Sequence, residues 1–318
     1  MNGPAAPPDH APPDHVLLGY DASQSSERAL GWAVREAELR GLALVVCHAW
    51  YWPYPFRPHD DRALESVRAM GAAIVEEGIA MAREVAAELD VRGRLVRGTA
   101  PAALLTAAGT AELVVLGARG TGGFDGLRAG STAIHVPAHT DRPVVVVPPA
   151  SFPPRDDGIG IVAGVDGSPA SEAALEFAFA EARARDLAVT AVCGWWGPDA
   201  RPGPGRAPFT DPETAGDRVR ALFESTVARH RAAHPAVAAE TRFVTRRPHQ
   251  ALADIARGAT LLAVGDRGCG SSPQTLLGAV TRTMLHEAPC PVAIVHESST
   301  TSTTRHGPLS RAPAPPPR

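Results

Sequence analysis

The chain has 318 residues, of which 44% are hydrophobic and 20% charged, with a formal net charge of −3. That length and apolar content suit two cores of ordinary domain size, and the slightly acidic balance gives no electrostatic case for nucleic acid. All 31 basic residues are arginine, which excludes a Walker A phosphate loop and a Schiff-base enzyme, because both need a lysine.

Along the chain, residues 1–14 are rich in proline and read as a disordered tail. Short apolar runs then alternate with helical patterns. The first half predicts strands near 16–20, 43–49, 93–97, 112–117 and 143–147. Its helices are predicted near 24–40, 61–90, 101–109 and 131–138. Leu30, Ala33, Val34 and Ala37 form one apolar stripe on the first of these. A proline-rich stretch follows and gives a linker at 150–158 between units at 15–149 and 159–297.

The second half predicts strands near 160–165, 188–194, 239–245, 260–265 and 292–296, with helices near 169–185, 212–233, 248–257 and 279–287. Ser168 and Pro169 make a cap and first-turn pair. Residues 298–318 read as a second disordered tail. The halves match in order: VLLGYDAS with IVAGVDGS, VVCHAW with AVCGWW, and DRPVVVV with APCPVAIV. A repeat of this extent means internal duplication. Runs such as Val144 to Val147 suit strands buried on both faces. The expected fold class is α/β, as two tandem doubly wound domains with helices on both faces of a parallel sheet.

Four cysteines, Cys47, Cys193, Cys269 and Cys290, include no C-x-x-C pair, so a reduced, cytoplasmic protein is expected. No basic-then-apolar leader and no long apolar run is present, so no membrane association is expected. The twelve histidines are read as having no metal-ligand spacing, and no metal site is expected. Neither a G-x-S-x-G elbow nor an early G-x-G-x-x-G is present, and no catalytic residue is assigned.

The chemistry concentrates in two loops. Residues 117–131 read GARGTGGFDGLRAGS, with Gly117, two residues, Gly120, nine residues, then Gly130 and Ser131. Gly265, Gly268 and Gly278 repeat the spacing. A glycine loop between a strand and a helix is a common phosphate cradle. Asp21 and Asp166 end the first strand of each half, where a carboxylate can accept from an adenine amino group or a ribose hydroxyl. Ligands of open parallel sheets bind beyond the carboxyl ends of the strands, at the switch in strand order.

With these motifs the chain resembles a tandem member of the universal stress protein family, in its ATP-binding branch. The resemblance covers about 16–149 and 159–297. It implies five strands per half in the order 3-2-1-4-5 and ATP, with or without Mg2+, between strands 1 and 4. It also implies pairing through the last strand, met by the two halves joining each other or by a homodimer. By position, Asp21 would take the adenine end, the backbone near His48 and Ala49 the base, and Gly117, Arg119 and Gly120 the ribose and phosphates. Gly130, Ser131 and Thr132 would hold the phosphates. The second-half counterparts are Asp166, Gly265, Arg267, Gly268 and Gly278. There Ala279 departs from the pattern, and the Thr281 hydroxyl is a substitute phosphate partner. Weaker binding in the second half, or binding with a different loop shape, is expected.

The leading function is a nucleotide-dependent regulator of stress adaptation with an unidentified protein partner. A slow ATPase or nucleotidyl transferase, with carboxylates such as Asp125 near the loop, is one alternative. A nucleotide-free interaction module is the other. The aromatic segment Trp50 to Phe56 reads as a lid, a docking surface or a face packed on the partner half or a second subunit.

Overall fold

The computed structural model describes residues 14–52, 61–121, 129–149, 160–196, 212–271 and 275–297. Expectations for the tails, the 150–158 linker, Pro53 to Phe56 and Asp125 lie outside these residues. The first half runs β1 (His15–Gly19), α1 (Gln24–Arg40), β2 (Ala43–Trp50), α2 (Asp61–Val85), β3 (Val91–Arg97), α3 (Ala100–Ala108), β4 (Leu113–Gly117), α4 (Ser131–His139) and β5 (Val144–Val147). The second runs β6 (Ile161–Gly164), α5 (Pro169–Arg185), β7 (Val189–Gly194), α6 (Pro212–Ala233), β8 (Ala239–Val244), α7 (Pro248–Ile255), β9 (Leu261–Gly265), α8 (Ala279–Glu287) and β10 (Val292–Val295).

Local chemistry explains the helix limits. Ser23 caps α1 by accepting from the Ser26 amide, and Gly41 closes it at φ 64, its N–H bonded to Ala37 and Glu38. Ser168 caps α5 in the same way, with Pro169 in the first turn, and Asp186 ends it at φ 54. One limit differs from expectation. The sequence reading carries α2 to residue 90, whereas the helix ends at Val85. The Leu89 amide turns back to the Ala86 carbonyl at 3.2 Å and the Asp90 carbonyl accepts from Leu44 at 2.9 Å, so residues 86–90 form the turn that leads into β3.

The strands form one ten-stranded sheet, ordered β3-β2-β1-β4-β5-β10-β9-β6-β7-β8. Each half has the 3-2-1-4-5 order, and all pairs are parallel except one. That exception is β5 with β10, where Val145 faces Ala293 in antiparallel register. The halves therefore join through their last strands.

Alternation along the strands fills both faces. Val16, Leu18, Val46 and Val115 pack against α1 and α2, while Leu17, Val45, Val114 and Leu116 pack against α3 and α4. Both cores continue into the second half, through Ala163, Ala293 and Phe179 on one face and Val162, Leu262 and Ile294 on the other. Each fully buried Leu or Val contributes about 1.5–3 kcal/mol of transfer free energy. Cys47 and Cys193 are core residues, Cys290 is buried and Cys269 is exposed; all are free thiols. Among the described residues, no helix is long and apolar enough to cross a membrane.

Candidate functional site

In both halves the strand order reverses at the first and fourth strands, β1/β4 and β6/β9. Chain leaving β1 turns at Asp21 and Ala22 and enters α1. Ala22 sits at φ 56, and its counterpart Gly167 at φ 84. The turn aims the Asp21 carboxylate at the loop after β4. Its Oδ1 accepts from the Ser23 amide at 3.2 Å and its Oδ2 from the Thr121 amide at 2.9 Å. Burial pushes this carboxyl up, but hydrogen bonds from the Ser23 side chain, the Thr121 amide and the Ser26 side chain outweigh it. The group therefore sits below its usual range and is a carboxylate at neutral pH.

The glycine loop is anchored to the start of α1. The Arg119 amide donates to Ser25 Oγ at 3.2 Å, and the Ser23 hydroxyl donates to the Arg119 carbonyl at 3.4 Å. The three glycines of the motif have different reasons to be glycine. A Cβ on Gly117 would lie 2.7 Å from the Ser25 carbonyl, and one on Gly120 would lie 2.6 Å from Asp21 Oδ2. On Gly130 the nearest atom would be 3.6 Å away, an ordinary contact. Gly130 has extended backbone and caps α4, and its N–H donates to the Ala118 carbonyl at 2.7 Å. The donors left at this helix start are the amides of Ser131, Thr132 and Ala133, which have no partner within the helix. Ser131 is exposed and Thr132 half-buried.

His48 and Ala49 lie near the end of β2, opposite Leu95 and Val96 of β3. His48 Nδ1 lies 2.8 Å from the Tyr20 carbonyl, so that nitrogen carries the ring proton. The ring packs towards α2, where a Cβ on Gly71 would meet it. Ala49 alternates to the opposite sheet face, so only one of these two side chains looks towards α3.

The second half repeats the arrangement. Asp166 Oδ1 accepts from the Ser168 amide at 3.0 Å and the Ser168 hydroxyl at 2.6 Å, and Oδ2 accepts from the Cys269 amide at 2.9 Å. Cys269 thus stands where the first half has Thr121. A Cβ on Gly265 would strike Ala170, and one on Gly268 would strike Asp166. Asp166, Gly265, Arg267, Gly268, Gly278 and Thr281 all line one cavity of about 570 Å³. Val165, Val192, Leu252 and Val264 supply its apolar wall, and Gly194, the counterpart of His48, also lines it. Arg267 donates to Asp266 at 3.0 Å and is half exposed.

Thr281, expected as a phosphate partner, faces inward. Its side chain is buried, and its hydroxyl donates to the Gly265 carbonyl at 2.7 Å. Its proton is directed at the backbone of the strand end. Positions equivalent to Ser131 and Thr132 are Ala279 and Val280, so α8 opens without a hydroxyl.

Another grouping also departs from expectation. His230 on α6 and His234 just beyond it face Glu176 of α5, and potential ligand atoms of the three lie within 4.8 Å of one another. The signal in the sequence is the H-x-x-x-H spacing on a predicted helix, whereas Glu176 is distant in sequence and visible only after folding.

Both halves match the Universal stress protein family, over residues 13–148 and 160–296, and the chain belongs to that family. It is 28% identical over 298 residues to universal stress protein Rv1996 of Mycobacterium tuberculosis, covering 88% of this chain and 94% of that protein. A universal stress protein of Mycolicibacterium smegmatis is 29% identical over 286 residues, covering 88% and 96%. The crystal structure of a universal stress protein from Archaeoglobus fulgidus shares the fold, with a TM-score of 0.64 at 18% identity over 89% of this chain and 98% of that one.

Proposed function

We infer that the chain is an ATP-binding regulator of stress adaptation, working in the cytoplasm through nucleotide occupancy and not through turnover. One observation carries this reading. In each half a carboxylate, a glycine loop and a helix N-terminus meet at the point where strand order reverses, the usual place for a ligand in such sheets.

The Asp21 carboxylate, held at the mouth of the loop by the Ser23 and Thr121 amides, is the acceptor for a ribose hydroxyl or an adenine amino group. The Ser131 and Thr132 amides and hydroxyls are phosphate donors on the positive end of α4. The fit of Gly130 supports the same assignment. Its own surroundings leave room for a Cβ, so a bare backbone there serves a group that approaches from outside. Arg119 and Arg267 bring the positive charge that a chain without lysine draws from arginine. A Mg2+ ion arriving with the triphosphate would neutralise part of its charge.

Binding should be unequal. The second half offers a formed cavity and backbone donors, but Ala279, Val280 and the inward-facing Thr281 remove hydroxyl donors. Occupancy would order the loops and bias association with a regulatory protein or a second copy of the chain.

Thermal unfolding with and without ATP tests the reading. A rise in melting temperature is expected for the parent, most of it lost in Asp21→Ala and less in Asp166→Ala. No rise with ATP, AMP or cyclic AMP would refute nucleotide binding.

A further inference from the structure

Away from both glycine loops, α5 and α6 bring together two imidazoles and a carboxylate. His230 and His234 are spaced four apart, and the His234 amide still donates to the His230 carbonyl at 2.9 Å, so both rings project from one helical face. Glu176 reaches them from α5. Its Oε2 lies 3.1 Å from His230 Nδ1, and His234 Nε2 is 3.0 Å from both carboxylate oxygens. Phe179, one turn further along α5, stacks beneath both rings at 6.0 and 5.2 Å. That packing limits how far either ring can turn.

We propose that Glu176, His230 and His234 form a divalent-metal site, with zinc as the ion the donors suit. Two imidazole nitrogens and one carboxylate oxygen are a common three-ligand set for zinc, leaving a fourth position open to water. The spacing is close to what the ion needs. Tetrahedral ligands at zinc bond lengths stand about 3.3 Å apart, so the Glu176 contacts, at 3.0 and 3.1 Å, must open slightly, and the two ring nitrogens, which lie within 4.8 Å of each other, must settle at the same spacing. The side chains are 10–28% exposed, which leaves a route for the ion. Binding requires the ring nitrogens now facing Glu176 to give up their protons, to the other ring nitrogen or to solvent.

The equivalent positions of the first half lack these ligands. The α2 end shows the same backbone pattern, with the Ala86 amide bonded to the Ala82 carbonyl and Leu89 bonded to Ala86. There the positions of His230 and His234 are Ala82 and Ala86, and the position of Glu176 on the equally long α1 is Gly31. Duplication supplied the scaffold without the ligands, so backbone geometry alone does not account for the cluster. A bound ion would tie α6 to α5.

The test uses the full chain in a Cys269→Ser background, which removes the exposed thiol as a competing ligand. Protein stripped with a chelator is given excess zinc chloride, desalted and assayed for metal per chain. Cobalt chloride is used in parallel to read visible d–d absorption. One zinc per chain, a cobalt spectrum of low coordination number and a zinc-dependent rise in melting temperature are expected. His234→Gln and, separately, Glu176→Gln lie on different elements and keep polar side chains of similar reach. Each should retain at least about tenfold less zinc and lose the cobalt bands, since even outer-shell changes at such sites cost that much. Metal-free melting temperatures close to the parent's verify folding. Failure of the Cys269→Ser protein to retain zinc, or equal retention in both variants, overturns the proposal.

Discussion

The guanidinium of Arg40 on α1 donates to the carboxylate of Glu181 on α5, across the boundary between the halves, and Arg185 returns the contact to Glu36. Each arginine also pairs within its own helix, Arg40 with Glu36 at 2.6 Å and Arg185 with Glu181. The duplication thus closes a four-membered ring of charge. Glu112 joins Arg40 at 2.6 Å, so three carboxylates meet two guanidinium groups. The guanidinium carbons lie 6.0 Å from the Phe177 ring and 5.9 Å from the Trp32 ring.

Glu36 is 1% exposed, so removing an arginine strands a buried charge. Arg185→Ala should lower the unfolding free energy by about 3–5 kcal/mol, whereas replacing the four ring members and Glu112 together with apolar residues of similar volume should leave it near the parent value. Denaturant unfolding of both variants checks the pair of outcomes. Equal losses in both would mean that the ring itself, and not the stranded charge, sets the stability.

Gly117 and Gly130 should separate when substituted. Gly117→Ala forces a Cβ to 2.7 Å from the Ser25 backbone and should cost about 1–3 kcal/mol of stability. Gly130→Ala meets nothing closer than 3.6 Å, so stability should change by under about 0.5 kcal/mol. Chemical denaturation of the two variants tells them apart.

Ala22 and Gly167 hold the same turn at φ 56 and φ 84. A left-handed alanine costs about 1–2 kcal/mol, offset in part by the about 0.4–1 kcal/mol of chain entropy that a glycine would lose on folding. Ala22→Gly should therefore stabilise slightly, and Gly167→Ala should destabilise by about 1 kcal/mol. Melting temperatures moving in opposite directions would bear this out.

Tyr20 is buried beside Asp21, and its hydroxyl donates to Met81 Sδ at 3.3 Å. Burial first, then the carboxylates of Glu77, Glu27 and Asp21, push its phenol up to about 12. The folded state favours the protonated phenol, so its contribution to stability is complete below the unfolded value of about 10. It is lost as pH rises from there to about 12. Difference titration of phenolate absorption between the parent and Tyr20→Phe should place this ionisation late.

Much of the architecture was legible in the sequence because it rests on local chemistry. The apolar stripe of α1, the Ser168 cap and the buried valine runs each state their own element. The glycine spacing located the loops, and Asp21 and Asp166 were legible because they end apolar strands. Other features depend on which elements meet in space. Glu36 and Arg40 look like an exposed helical pair until α5 covers them. Thr281 looks like a phosphate donor until its helix turns it towards Gly265. Glu176 has no visible connection to His230 until α5 and α6 pack.

The most direct measurement is the adenine nucleotide released on denaturing freshly purified protein, per chain, for the parent, Gly130→Ala and Asp166→Ala. ATP is predicted in the parent, lost mainly in Gly130→Ala and only in part in Asp166→Ala, with both variants folded. Finding no nucleotide in the parent, together with no rise in melting temperature on adding ATP, would contradict the account.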